Sequence, residues 1–229
     1  RLERVGLSTP RMEAKLYTYI GLGGNGRMGN QMFQYATLFS LAKTYGEKFA
    51  IPSTVERHDF PLNGEYEIIE AFPSLSAEIL PKEELPGLVN KQYREPGFMY
   101  DPNLILTRAE TDLHGYFQSE LYFKQYRKEI LQEFSFAGEV QDRCSKMVEE
   151  ARALSTNGLV CSLHVRRTDY KNISEYHTNL DASYYNPAIQ HMMTSYPGLR
   201  FLVFSDDIEW CKSNMPEGLS FSTGTSQTD

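Results

Sequence analysis

Leu16-Tyr-Thr-Tyr-Ile-Gly-Leu-Gly-Gly-Asn-Gly-Arg-Met-Gly-Asn-Gln31 decides the fold class. Its first seven residues, Leu16 to Leu22, read as a buried strand, and the glycine-rich run Gly21 to Gly29 forces a tight turn. From Asn30 to about Tyr45 the apolar residues recur at helical spacing. Met32, Tyr35, Ala36, Phe39 and Ala42 form one stripe, broadened by Phe33, Leu38 and Leu41, which predicts a largely buried helix. Strand, turn and helix in that order are the unit of an α/β fold.

Outward from this unit, Glu47 to Ile51 reads as a second short strand, stopped by Pro52. Ser53 to Leu113 is broken by Pro61, Pro73, Pro81, Pro86, Pro96 and Pro102 and reads as irregular. Helices are expected over Glu120 to Phe134 and Glu139 to Leu154, the second ended by Ser155-Thr-Asn-Gly158. A new strand, loop, helix, strand rhythm then starts. Leu159 to Val165 reads as a buried central strand that delivers His164-Val-Arg-Arg-Thr-Asp-Tyr170 to its carboxyl end, where α/β sheets bind ligands. Asp181 is placed to cap a helix ending at Pro197-Gly198. Arg200 to Phe204 is the next strand, Ser205-Asp-Asp207 opens a short helix through Asn214, and Leu219 to Ser222 is a third strand.

The expected organisation is therefore a tail over 1–14, an α/β domain over 15–156 and a second Rossmann-like domain over 157–229. That second domain holds two or three strands where a doubly wound one needs about five or six, so it is expected to be truncated in this chain.

Composition narrows the function. With 229 residues, 41% of them hydrophobic, the chain can bury a core. A net charge of −7 offers no basic footprint for a nucleic-acid backbone, so nucleic acid is not an expected partner. Cys144, Cys161 and Cys211 lack any CxxC spacing and are read as buried thiols rather than metal ligands. No apolar run approaches the roughly 18 residues of a membrane span, so no membrane contact by this chain is expected.

Gly24-Asn-Gly-Arg-Met-Gly29 matches the literal GxGxxG of dinucleotide folds, but the second strand ends Ile51-Pro-Ser-Thr54, with no carboxylate for a ribose before Glu56. A nicotinamide cofactor is disfavoured. A loop entering a helix N-terminus still offers backbone N–H groups to an anion, with Arg27, Gly29, Asn30 and Gln31 as its candidate binding residues. At the second strand end, Arg166 and Arg167 point in different directions. One can fork onto a phosphate while the other pairs with Asp169, or both can belong to surface ion pairs. His164 is either a core histidine or a ligand contact. Asp206 and Asp207 are adjacent rather than spaced as a DxD metal site, and Asp206 with Glu209 reads as a capping box. Tyr116, Gln118 and Glu120 read as packing and helix-start residues, the alternative being a place on the side of the first domain that meets a second substrate.

Gly26-Arg-Met-Gly-Asn-Gln-Met-Phe-Gln-Tyr-Ala-Thr37 resembles the amino-terminal signature of the α-1,2-fucosyltransferases, glycosyltransferase family 11. His164-Val-Arg-Arg-Thr-Asp169 resembles the HxRRxD donor motif of fucosyltransferases. His114-Gly-Tyr-Phe-Gln-Ser-Glu-Leu-Tyr-Phe123 and Phe201-Leu-Val-Phe-Ser-Asp-Asp-Ile-Glu-Trp210 are similar to two further segments of that family. The resemblance implies a GT-B-like fold of two Rossmann-like domains and an inverting, metal-independent transferase with no cofactor. It implies GDP-fucose as donor and the 2-hydroxyl of a β-galactoside in a glycan as acceptor. It implies further that Arg166 holds the β-phosphate, with Arg167 and His164 ordering the site. Arg27 and Asn30 face the fucose and diphosphate, and Asp206 and Asp207 contact the guanosine. Asp169, read as catalytic with Arg166, and Glu175 are the carboxylates nearest in sequence for a general base. The family includes cytoplasmic and Golgi-anchored members. It also continues past the Ser-Asp-Asp helix with a serine-rich motif that nothing after Asn214 matches, which leaves a catalytically silent GDP-sugar-binding remnant or scaffold as the alternative.

Overall fold

The computed structural model describes residues 15–24, 26–54, 68–168, 170–173 and 178–222; the expected tail over 1–14, Asp169 and Glu175 lie outside them. The chain divides between Phe136 and Ala137 into two α/β units.

In the first unit, β1 (Leu16–Thr18) leads through the glycine turn into α1 (Met28–Tyr45), then β2 (Lys48–Pro52), the single turn α2 (Ile68–Ala71), β3 (Glu78–Leu80), β4 (Lys91–Arg94), β5 (Thr111–His114) and α3 (Arg127–Glu133). The strands form one sheet in the order β3-β2-β1-β5-β4, every neighbouring pair parallel. Three of these five strands come from the stretch expected to be irregular. Each is only three or four residues long, too short for a period-two pattern to register between its prolines. α1 is buried without interruption from Gln34 to Ala42, as befits a helix packed all round. It ends on Gly46, whose left-handed φ of 65° lets its N–H reach Ala42 and Lys43 carbonyls. Tyr35, Phe39, Phe49, Phe72 and Phe134 pack edge to face or tilted in the core, at centroid separations of 5.0–5.8 Å. The helix expected over Glu120 to Phe134 is instead two 3₁₀ turns before α3. Phe123, at φ −144° and ψ 2°, breaks it to set its ring 5.7 Å from Phe33.

The second unit begins earlier than the expected boundary at 156/157, because α4 (Gly138–Ala153) packs on the second sheet. There β6 (Val160–Val165), α5 (Ala182–Ser195), β7 (Arg200–Ser205), α6 (Ile208–Asn214) and β8 (Ser220–Phe221) follow. Its strand order is β6-β7-β8, again parallel. Asp181 caps α5 as expected, accepting from the Ser183 N–H at 2.8 Å. β6 is an edge strand here, not the central one anticipated. Its Cys161, Leu163 and Val165 face the core of Tyr185, Ile189, Phe201, Val203 and Cys211, while Ser162 and His164 on the other face are exposed. Of the three cysteines only Cys211 is buried; Cys144 and Cys161 are partly exposed. Among the described residues no helix is long and apolar enough to cross a membrane.

Candidate functional site

In the first sheet the chain runs outward from β1 through β2 to β3 and returns on the other side as β5 and β4, so the order reverses between β1 and β5. Ligands of open parallel sheets bind outside the carboxyl ends of strands at such a reversal. The glycine loop after β1 and the His114–Gln118 loop after β5 meet there. The Tyr19 hydroxyl donates to the Gly115 carbonyl and accepts its N–H at 3.1 Å. Burial pushes that phenol well above its ordinary pKa, so it stays protonated. Gly26 takes φ +90°, and any side chain there would overlap Asn30. Arg27, extended at φ −85°, is the residue before α1, and it supplies no side-chain cap. Asn30 accepts from the Gln118 amide at 2.6 Å. A Cβ at Gly29 would meet nothing, so its surroundings are open.

Arg27, Gly29 and Asn30 thus share one surface, but Gln31 does not. It is fully buried, and its side-chain oxygen accepts from the Ile68 N–H at 3.3 Å, which makes it a strut between α1 and α2. One further participant was not legible in the sequence, and a second was singled out only as a packing or helix-start residue. Glu95, just past β4, accepts the Tyr116 and Phe117 N–H groups at 2.7 and 2.9 Å, and Gln118 fixes Asn30. Gln118 sits in a segment already singled out, whereas nothing in the sequence marks Glu95. His114 stands beside them with its pKa lowered, first by burial and then by the Arg94 charge.

In the second unit, residues 166–168 leave β6 and are gripped by Asp206, at the end of neighbouring β7. Its carboxylate accepts the Arg167 N–H at 2.8 Å, the Thr168 N–H at 3.0 Å and the Thr168 hydroxyl at 2.5 Å. The capping role expected of Asp206 falls instead to Asp207, which accepts from the Trp210 N–H at 3.3 Å; Glu209 pairs with Lys212. Arg167 is committed to the fold. Its guanidinium lies 3.6 Å over the Trp210 ring, donates to Asp207 at 3.4 Å and to the Leu180 carbonyl at 3.2 Å, and its side chain is only 12% exposed. Its carboxylate partner among the described residues is therefore Asp207. Lys171 also donates to Asp207 at 3.0 Å. Burial raises the Asp207 pKa, but the Lys171 and Trp210 hydrogen bonds and the cations outweigh it, and the net shift is downward. Arg166, partly exposed, holds its guanidinium 4.5 Å over the Tyr170 ring. His164 is exposed on β6, in register with Phe204.

Among the described residues no three His, Cys, Asp or Glu side chains gather as a metal site. The cationic loop after β6 and the helix entry after β1 are both suited to anions.

Comparison with known proteins gives this geometry a family. The chain is 26% identical over 232 residues to galactoside alpha-(1,2)-fucosyltransferase 2 of Mus musculus, covering 95% of this chain and 63% of the relative. It is 30% identical over 201 residues to the protein of that name in Pongo pygmaeus, covering 83% and 54%. The chain thus spans little more than half to under two thirds of the length of these relatives. Among solved structures, the fucosyltransferase NodZ from Bradyrhizobium superposes with a TM-score of 0.57 at 11% identity, over 93% of this chain and 79% of that one. A NodZ crystal soaked with GDP-fucose gives 0.55 at 13% identity, over 94% and 80%. These likenesses establish the GT-B-like, Rossmann-like fold. A family model matches residues 8–228, and the chain belongs to glycosyl transferase family 11.

Proposed function

We propose that this protein transfers fucose from GDP-β-L-fucose to the 2-hydroxyl of a β-galactoside, with inversion and without a divalent metal. The galactoside acceptor is supported by the names of the relatives, and the donor by the GDP-fucose-soaked NodZ crystal. The observation that carries the donor assignment is the division of labour between adjacent arginines. Arg167 is held by Trp210, Asp207 and Leu180, while Arg166, partly exposed on the same clamped loop at the strand end, holds its guanidinium 4.5 Å over the Tyr170 ring.

Arg166 takes the β-phosphate and stabilises the charge that builds on departing GDP. Asp206, Asp207 and Arg167 act as positioning residues that hold the Arg166 backbone. The lone pairs of both aspartates are directed at N–H groups, a hydroxyl and cations, which argues against their holding Mg²⁺. Arg27, Gly29 and Asn30 supply the second anion-binding surface, and Asp169 is kept as the candidate base by its place in the motif.

Calorimetric titration with GDP and a transfer assay from GDP-fucose to lactose test this reading. Arg166→Ala should lose about 2 kcal/mol or more of GDP affinity, roughly 30-fold, and abolish transfer, while EDTA leaves the unaltered chain unaffected. Unchanged GDP affinity in the variant sinks the phosphate assignment. GDP binding without transfer in the unaltered protein identifies a silent donor-binding protein instead.

A further inference from the structure

Past the carboxyl end of β4, the loop Glu95-Pro-Gly-Phe-Met-Tyr-Asp101 projects apolar side chains into water: Phe98 is 76% exposed and Met99 82%. Exposure of this kind usually accompanies a loose loop, but both ends of this one are anchored. Glu95 receives the Tyr116 and Phe117 N–H groups, and Gly115 has no room for a Cβ against the Glu95 side chain. At the far end Asp101 accepts from the Tyr93 hydroxyl, its N–H reaches the Tyr122 hydroxyl at 2.8 Å, and the Tyr100 and Tyr122 rings meet at 4.8 Å. The Phe98 ring is stacked on Tyr116, with centroids 6.1 Å apart and planes inclined by 30°. A fixed aromatic platform therefore stands at the ligand edge of the first sheet. It is joined through Gln118 to Asn30 of the α1 entry.

From this geometry we infer that the Phe98–Tyr116 platform, flanked by Met99, is the acceptor subsite, reading the apolar face of a galactose ring. The inference rests on the transferase reading above and adds to it the element that selects the acceptor. A galacto-configured pyranose gathers the C–H groups of C3, C4 and C5 on one face, because its 4-hydroxyl is axial. That face carries partial positive charge and suits the negative face of an aromatic ring. Water is shed from both surfaces on contact, and a rigid ring pair loses little conformational freedom.

Saturation-transfer NMR with lactose on the intact chain, alongside GDP calorimetry, tests this. Lactose should receive saturation at its galactose C3–C5 protons. Phe98→Ala should weaken lactose binding about tenfold or more, with GDP affinity unchanged; Leu159→Ala, a solvent-facing change in the second unit, should bind lactose as the parent does. The subsite is overturned if Phe98→Ala binds lactose like the parent, or if the parent shows no lactose contact. Failure of GDP binding strikes the donor reading instead, so the two fail separately.

Discussion

One device recurs at three residues. Parallel strands end in loops whose N–H groups have left the ladder and need acceptors. Asp112 accepts the Ile20 N–H and Thr18 hydroxyl at 2.8 and 2.9 Å, Glu95 takes the two N–H groups after β5, and Asp206 those after β6. Each carboxylate stands on, or just beyond, the strand next to the loop it holds, and a carboxylate has lone pairs enough for several donors. Asp206→Ala strands the Arg167 and Thr168 N–H groups, and it should destabilise the second unit by about 1–3 kcal/mol in urea unfolding. No change there would mean that the loop is held by other means. Asp207 adds a pH dependence. Its carboxyl titrates lower in the fold than in the unfolded chain, so the stability it contributes is present above the unfolded value, near about 4, and is lost as pH falls through the lower folded one. Asp207→Asn should flatten the thermal stability of the second unit against pH across that acid window; an unaltered slope would assign the effect to another group.

At the scale of elements, legibility followed length. α1, α4 and α5 were readable because a stripe repeats several times within each, β7 because Phe201 to Phe204 is an unbroken apolar run, and Asp181 announced the α5 start. β3, β4 and β5 carry too few residues for any period, yet they complete the sheet that creates the reversal beside β1. The candidate site divided in the same way. Arg166, Arg167, Arg27 and Asn30 were legible as charge and amide at a loop and a helix entry, while Glu95 is one acid among many until the fold sets it under two N–H groups. Gln31 misled because sequence gives its place beside the loop but not that its side chain turns inward to Ile68. The β4–β5 junction is closely packed. Gly115→Ala would drive a methyl into the Glu95 side chain, so Glu95 must yield its bonds to the loop. The expected cost is about 1–3 kcal/mol of first-unit stability, read by denaturant unfolding followed through tyrosine absorbance. A variant as stable as the parent would show that Glu95 can move aside without loss.

Across the whole molecule, the two units each have their own sheet and core, so they are expected to lose structure in separate steps. The chain supplies its own reporter for one of them. Trp210 is the only tryptophan, and it packs in the second core between the Arg167 guanidinium and the Tyr185 ring, 6.4 Å away. Its fluorescence follows the second unit alone, whereas far-ultraviolet circular dichroism follows both. A ligand that binds only the folded form stabilises it by RT ln(1 + [L]/Kd), about 2.7 kcal/mol at a hundredfold excess over Kd. If Arg166 holds the diphosphate, GDP should raise the Trp210 transition by that amount and move the tyrosine-dominated first-unit transition less. The Arg166→Ala chain should lose the GDP shift, measured against its own unliganded midpoint. A GDP shift confined to the first unit would move the main anion site from the loop after β6 to the helix entry at Gly26–Asn30.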